Sequence, residues 1–211
     1  YLYVAMPFCD NGDLFGMIQH NNEQETVFEE DEARQFTRDI LHGLETLQRA
    51  KLAHRDLSLE NLLVHQGRCI AIDMGQCVRV PRDSTGRRYL IRYAGVFGKT
   101  IYRPPEGNRI RDYDAYAVDI WTVAIVLHFL LTGIPPWDQA TDTEQRFQVG
   151  CLHENLRGML QNWGLFMSEG AYDLLQHSLR DDPRRRLSLA QVQRHPWMTG
   201  GGVEEAEPMD M

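Results

Sequence analysis

Apolar residues recur at helical spacing along most of the chain, which predicts a mainly α-helical fold. A polar turn at residues 8–13 precedes a short helix that begins at Leu14. Acidic residues at 29–32 open a longer amphipathic helix that continues through Leu47. Carboxylates at this end are favourable because the amino terminus of a helix carries partial positive charge.

The most apolar segment lies at residues 115–134. It contains Asp119 and His128 and is barely long enough to cross a bilayer, so it predicts a buried core helix rather than a membrane span. A helical pattern resumes at Tyr113, and Ser188 is predicted to cap the last helix. The further helices are predicted at residues 145–159, 168–180 and 188–195.

Short strands are predicted at the start of the chain and near its middle. Residues 1–6 form one apolar run. The runs 62–64 and 69–72 are separated by Gln66-Gly67, which predicts a β-hairpin. Residues 79–111 are rich in arginine and turn formers and lack periodicity, so they predict one long loop of the kind retained for function.

Composition narrows the class of protein. A chain of 211 residues with 43% hydrophobic residues can bury one substantial core. The net charge of -8 argues against nucleic acid and anionic membranes as partners, since both are bound mainly by lysine and arginine. The four cysteines have no metal-ligand spacing, and no targeting segment is recognised, so a reducing, cytoplasmic setting is expected.

Three polar motifs carry candidate chemistry. Residues 54–61 read His-Arg-Asp-Leu-Ser-Leu-Glu-Asn, and they are followed by Asp73-Met-Gly75 and Pro104-Pro-Glu106. Their order and spacing resemble the catalytic loop, metal-binding turn and Ala-Pro-Glu of eukaryotic protein kinases. The resemblance covers residues 1 to about 198. It extends to Asp119-Ile-Trp121, Leu131-Thr-Gly133, Asp182-Pro-Arg-Arg-Arg186 and His195-Pro-Trp197.

The resemblance implies that ATP and Mg²⁺ are the cofactors and that the substrate is a protein. Asp56 then corresponds to the catalytic carboxylate, and Asn61 and Asp73 correspond to the magnesium ligands. Local turn capping is the alternative role for Asp56 and Asn61. Tyrosine kinases usually have an arginine and alanines where Ser58-Leu-Glu60 stands, so serine or threonine is the expected acceptor.

By the same resemblance, five residues correspond to positions that contact the adenosine of ATP. Met6 matches the residue behind the adenine pocket, and Pro7 and Cys9 match the hinge, where proline keeps its carbonyl and Cys9 offers an amide. Asp13 matches the ribose-contacting carboxylate and Leu63 the apolar floor beneath adenine. Asp13 and Leu63 fit equally well as ordinary helix-start and core residues.

Other matches concern support and regulation. Asp119 is expected to accept hydrogen bonds from the backbone of the catalytic loop, because an unpaired carboxylate in an apolar helix is unfavourable. Glu106 and Arg186 match an ion pair that anchors the long loop. Arg55 matches the arginine that binds an activation-loop phosphate. The candidate acceptors of that phosphate are Ser84, Thr85 and Tyr89, which are otherwise exposed loop residues.

The chain departs from the family pattern at two positions that are neighbours in the fold of that family. Ser58 stands where serine/threonine kinases usually have lysine, and Lys99 stands where they usually have threonine. We predict that Lys99 performs the electrostatic task that Ser58 cannot. The alternative is a solvent-facing Lys99 in an impaired enzyme. Met74 replaces the usual phenylalanine and can fill the same apolar contact.

The expected architecture is that of a kinase C-terminal lobe. Residues 1–13 would form a hinge strand and linker, residues 14–198 the lobe, and residues 199–211 a disordered acidic tail. Within the lobe, residues 54–61 would be the catalytic loop and 73–106 the activation segment. A glycine-rich loop and a strand lysine paired with a helix glutamate are missing, so we expect the N-terminal lobe to be absent and these residues alone to be inactive. Two alternatives are a pseudokinase that binds a partner without catalysis and an interaction fragment with an exposed cleft face.

Overall fold

The structure is a computed structural model that describes residues 5, 6 and 8–200. Helices dominate this part of the chain, as the periodicity predicts. The helices are α1 (Leu14–Glu23), α2 (Glu30–Arg49), α3 (Pro105–Asn108), α4 (Ala115–Thr132), α5 (Gln145–Phe147), α6 (Leu156–Asn162), α7 (Glu169–Ser178), α8 (Leu189–Gln193) and α9 (Pro196–Thr199). The strands are β1 (Leu52–Ala53), β2 (Leu62–His65), β3 (Arg68–Ala71) and β4 (Val78–Arg79).

Helix α4 is the centre of the core, and α2 and α7 pack against it. It is apolar on all sides because neighbouring elements surround it, which confirms the predicted core helix. Asp114 caps its first turn by accepting from the Tyr116 amide (3.0 Å), and Gly133 ends it at φ 73°. Although α4 is long and apolar enough to cross a membrane, its whole length is buried in the fold.

Helix α2 buries the apolar face that its periodicity predicts. Asp39 lies on this buried face and is 7% exposed. Its carboxylate accepts hydrogen bonds from the Cys69 amide (3.0 Å) and from Nε of Arg68 (2.9 Å). A buried carboxylate is stable only when its oxygens are hydrogen-bonded. The bonds that satisfy Asp39 also attach β3 to α2.

The predicted hairpin is confirmed. β2 and β3 pair antiparallel from Leu62↔Ala71 to His65↔Arg68. Gln66 and Gly67 both have positive φ, 50° and 72°, as a two-residue hairpin turn requires. Residues 1–4 and Pro7, and with them most of the predicted opening strand, lie outside the described residues, as does the tail from residue 201; Ala5 and Met6 form no strand.

Several predicted boundaries were wrong. The helix predicted at 145–159 is interrupted by a π-helical turn at Gln148–Leu152, and Asn155 caps a new helix by accepting from the Gly158 amide (3.1 Å). The predicted loop at 79–111 contains a 3₁₀ turn at Thr100–Tyr102 and helix α3. Helices α7 and α8 are present but shorter than predicted, and Thr199, expected in the tail, ends α9.

Candidate active site

Hydrogen bonds to a residue of α4 hold the loop at residues 54–61 in place. The buried carboxylate of Asp119 accepts hydrogen bonds from the amides of His54 (2.9 Å) and Arg55 (2.8 Å), which confirms the predicted contact. Burial raises the pKa of Asp119 to about 7, although the two amide bonds act to lower it. Arg55 adopts a left-handed conformation with φ 65°, so the loop turns sharply just before Asp56.

Hydrogen bonds bring Asp56, Asn61 and Asp73 to one place. Asn61 donates from Nδ2 to the carbonyl oxygen of Asp56 (2.8 Å), and its own carbonyl accepts from the amide of Ile72 (2.9 Å). Asp73 follows directly, in a left-handed conformation (φ 61°). Burial raises the pKa of the Asp56 carboxyl; the charge of Lys99 opposes this shift, and the charge of Asp73 adds to it.

The donor atoms at this place suit magnesium. The amide nitrogen of Asn61 is used by Asp56, which leaves Oδ1 as the atom that can face a cation. Asp73 accepts from the Gly75 amide through Oδ1 (3.1 Å), and its side chain is exposed. Within residues 5, 6 and 8–200 no three His, Cys, Asp or Glu side chains form a metal-binding group. Mg²⁺ is commonly bound by one or two protein oxygens together with phosphates, so two such ligands fit.

The predicted adenosine contacts are brought together only in part. Asp13 and Leu63 form an antiparallel bridge, and the Val64 amide donates to the Gly12 carbonyl (2.9 Å), so Asp13 lies next to Leu63 at the edge of β2. Asp13 also caps α1 by accepting from the Gly16 amide (2.8 Å). Met6 is 51% exposed, Cys9 is half-buried, and Pro7 lies outside the described residues.

Arg55 is bound by two neutral groups. Its Nε donates to the carbonyl of Gln76 (2.8 Å) and its Nη1 to the hydroxyl of Tyr113 (2.7 Å). The guanidinium also lies 5.7 Å from the centroid of the Phe97 ring. Arg55 therefore joins the loop before Asp56 to two parts of the segment that follows Asp73.

Lys99 contacts Ser58 and Glu60 of the loop at residues 54–61. Its ammonium donates to Oγ of Ser58 (3.0 Å) and lies 2.9 Å from Oε2 of Glu60. The predicted proximity of Ser58 and Lys99 is confirmed. Burial acts to raise the pKa of Glu60, but the contacts with Lys99 and Ser58, together with the backbone amide of Glu60, lower it overall.

Comparison with known proteins agrees with this geometry. Residues 1–198 match the model of the protein kinase domain. The chain belongs to the protein kinase family. It is 29% identical to calcium-dependent protein kinase 19 of Arabidopsis thaliana over 99% of this chain and 36% of that protein. It is 29% identical to an SNF-related serine/threonine-protein kinase of Rattus norvegicus over 94% of this chain and 25% of that protein. It is 31% identical to serine/threonine-protein kinase chk1 of Schizosaccharomyces pombe over 93% of this chain and 38% of that protein.

Two site residues of this kinase chain were missed by sequence reasoning. Glu60 pairs with Lys99, and Tyr113 binds Arg55. Glu60 lies between Ser58 and Asn61 inside the recognised motif, so its position was a usable signal. No signal pointed to Tyr113, because it meets Arg55 across a sequence separation of 58.

Proposed function

We propose that the whole protein transfers the γ-phosphate of ATP to serine or threonine hydroxyls of a protein substrate. The observation that carries the proposal is the hydrogen-bonded link from Asp56 through Asn61 to Ile72, next to Asp73. This link joins a carboxylate that can orient a hydroxyl to two oxygen ligands that suit a divalent cation. The chain covers 36%, 25% and 38% of the three relatives named above, so the activity is proposed for the protein rather than for these residues alone.

In the proposed reaction the acceptor oxygen forms a bond to the γ-phosphorus, and the bond from that phosphorus to the β–γ bridging oxygen breaks. Asp56 orients the acceptor hydroxyl and takes its proton, and ADP leaves. Asn61 and Asp73 would hold Mg²⁺, which neutralises charge on the phosphates when bound. Asp119 keeps the loop in place through the amides of His54 and Arg55.

The choice of acceptor rests on two observations. Ser58-Leu-Glu60 differs from the sequence usual in tyrosine kinases. The rat and fission-yeast relatives are named serine/threonine kinases. We further propose that Met6, Pro7, Cys9, Asp13 and Leu63 contact the adenosine, with the bridge between Asp13 and Leu63 as support for the last two.

The test is phosphate transfer by the full-length protein to a general protein acceptor in the presence of Mg²⁺. Asp56→Asn and Asp73→Asn should each abolish transfer, and the phosphorylated residues identified by mass spectrometry should be serine and threonine. Asp138→Asn removes a carboxylate that is 80% exposed and serves as the control. A wild-type protein that transfers no phosphate, or an Asp56→Asn protein as active as wild type, would contradict the proposal and favour a non-catalytic binding module.

Residues 1–211 contain no glycine-rich phosphate loop of the family type. We therefore expect these residues alone to be inactive, because the groups that position the β- and γ-phosphates must come from elsewhere. Equal rates for residues 1–211 and the full-length protein would contradict this expectation.

A further inference from the structure

Lys99 is one of two lysines in the chain, and it lies against the catalytic loop. Its ammonium is bound between the hydroxyl of Ser58 (3.0 Å) and the carboxylate of Glu60 (2.9 Å). Its side chain is 45% exposed, so the charge is held at the rim of the site rather than sealed inside it. A lysine in this state can still move toward a ligand, because its stem has four rotatable bonds.

The backbone before and after Lys99 is fixed against the same loop. Gly98 has φ 62°, and a side chain there would meet the carbonyl of Arg55 at 3.1 Å and Oδ1 of Asp56 at 4.0 Å. On the other side, the hydroxyl of Tyr102 accepts from the Leu59 amide (3.4 Å). Packing on both flanks therefore fixes the backbone of Lys99 against the loop that carries Asp56, and the charge of Lys99 acts on the Asp56 carboxyl.

The Lys99 ammonium lies in a part of the site that is rich in carboxylates. Asp56, Glu60 and Asp73 bring three carboxylates to this end of the site, and the charge of Lys99 acts on both Asp56 and Glu60. A phosphoryl group in transfer carries negative charge on its equatorial oxygens, and a fixed cation beside it lowers the barrier. Ser58, which is fully buried, supplies no charge but has a hydroxyl that directs the ammonium.

We propose that Lys99 is a catalytic residue whose ammonium binds the transferring phosphoryl group, that Ser58 positions it, and that Glu60 is its counter-ion before ATP binds. The inference rests on the proposed kinase function and adds a residue to it. Lys99 exchanges no proton in the step: the acceptor proton goes to Asp56, and the electron pair of the broken bond goes to ADP. When ATP enters, the ammonium exchanges Glu60 for phosphate oxygens.

The first test is Lys99→Met in the full-length protein, which removes the charge and keeps the length of the side chain. We expect kcat to fall by about 100- to 1,000-fold, as when one stabilising donor is removed from a transition state. The affinity for Mg-ADP should not change, because ADP lacks the transferred group. If the role of Lys99 is purely structural, Lys99→Met should instead lower the melting temperature and weaken ADP binding as well. Lys51→Met changes the other lysine, which is exposed, and should leave kcat at the wild-type value.

The second test moves the charge to its neighbour. Lys99→Thr should lose activity as Lys99→Met does, and Ser58→Lys added to Lys99→Thr should recover part of the lost kcat. A folded double variant no more active than Lys99→Thr would overturn the proposal. If the double variant does not fold, Lys99→Arg decides, since partial activity supports a cationic role and a loss equal to that of Lys99→Met overturns it.

The counter-ion and the positioning residue have separate signatures. Glu60→Gln removes the charge that holds the ammonium and should raise kcat/KM for ATP. A fall in kcat/KM equal to that of Lys99→Met would contradict the proposal that Glu60 competes with ATP for the ammonium. Ser58→Ala should lower kcat less than Lys99→Met does. If the wild type is active, Asp56→Asn is inactive and Lys99→Met is unimpaired, the catalytic role of Lys99 is refuted but the kinase function is not. An inactive wild type would refute the kinase function itself.

Discussion

Arg186 and Glu106 form a two-bond ion pair across 80 positions of sequence. Nη1 and Nη2 of Arg186 lie 2.7 and 2.6 Å from the two carboxylate oxygens of Glu106. The Arg186 side chain is fully buried and stacks on the Trp121 ring at 4.8 Å from its centroid. Its Nε donates to the Arg180 carbonyl (2.7 Å). The predicted pair is therefore confirmed, and it fastens the end of the segment that begins at Asp73 to the helical core.

Removing one partner of this pair should be strongly destabilising. We expect Arg186→Met to lower the free energy of unfolding by about 3–5 kcal/mol, because Glu106 would remain as a buried charge without its partner. Urea denaturation of the full-length protein, followed by the fluorescence of its tryptophans, measures the change. Arg184→Met is the matched control: Arg184 pairs with Asp182 but its side chain is 88% exposed, so we expect little change in the free energy of unfolding. Equal effects of the two substitutions would contradict the importance of burial.

Asp119 should affect both stability and activity. Asn in its place keeps one acceptor and turns an amide group toward a backbone donor, so we expect a loss of about 1–3 kcal/mol in unfolding free energy. Weaker hydrogen bonds from the His54 and Arg55 amides would let the loop that carries Asp56 shift, and a displacement of that kind lowers reaction rates by about 100-fold. The measurements are denaturation and kcat on the same preparation.

Asp114→Asn provides the comparison for Asp119. Asp114 caps the first turn of the same helix and pairs with Arg88 (2.7 Å), but within the described residues it makes no hydrogen bond to the loop at 54–61. We expect a loss of about 1 kcal/mol in stability from the weakened cap, with kcat unchanged. A loss of kcat as large as that of Asp119→Asn would mean that Asp119 acts only through the stability of α4.

Local signals in the sequence were sufficient for much of the fold. The turn residues Gln66-Gly67 specify the β2–β3 hairpin by themselves, because both adopt positive φ. The periodicity of α2 and the uniform apolarity of α4 identify an amphipathic helix and a buried one. These features depend on neighbours in sequence, which is why they were predicted correctly.

Features that depend on distant partners could not be predicted from local pattern, and the Arg186–Glu106 pair was predicted only through the family resemblance. β1 and β4 are two residues each and are held by long-range pairing, including the bond from the Val80 amide to the Lys51 carbonyl (2.8 Å). The site follows the same rule. Motif order predicted that Asp56, Asn61 and Asp73 form one site, but the pairing of Glu60 with Lys99 needs the turn at Thr100–Tyr102 to pack on the loop at residues 54–61.

The segment after Asp73 provides a prediction about regulation. Arg55 makes no ion pair in the described part of the chain, and its two side-chain partners are neutral. Ser84 is exposed, whereas the hydroxyl of Thr85 donates to Asp83 (2.6 Å), so a phosphate on Thr85 would stand beside a carboxylate. Between these two residues, we therefore predict phosphorylation at Ser84 rather than at Thr85.

Mass spectrometry of the active protein should find phosphate on Ser84, and Ser84→Ala should lower its activity. If Arg55 binds that phosphate, Arg55→Ala combined with Ser84→Ala should be no worse than either alone. Thr143→Ala, an exposed threonine outside the segment, is the control. A fully active protein without phosphate on residues 73–106 would show that Tyr113 and Gln76 are sufficient to order the segment.

His128 should make stability depend on pH. Burial lowers the pKa of His128 to about 4, and its Nδ1 donates to the Ile134 carbonyl (2.9 Å). Nε2 is buried with no hydrogen-bond partner within residues 5, 6 and 8–200, so a proton there would be an uncompensated charge. In the unfolded chain the pKa is about 6.5, so between pH 6.5 and 4 the unfolded state binds the proton and the folded state does not. Unfolding free energy should therefore fall as pH decreases through this window.

The size of the effect follows from the difference in pKa. A difference of about 2.5 units corresponds to about 3 kcal/mol, reached near pH 4 and absent above pH 7. His128→Asn keeps a donor near the position of Nδ1 and cannot be protonated, so the fall between pH 6.5 and 4 should be smaller than in wild type by up to that amount. His153→Asn removes an exposed histidine and should leave the wild-type dependence in place. Parallel curves for wild type and His128→Asn, measured by urea unfolding at a series of pH values, would mean that His128 is protonated equally in both states.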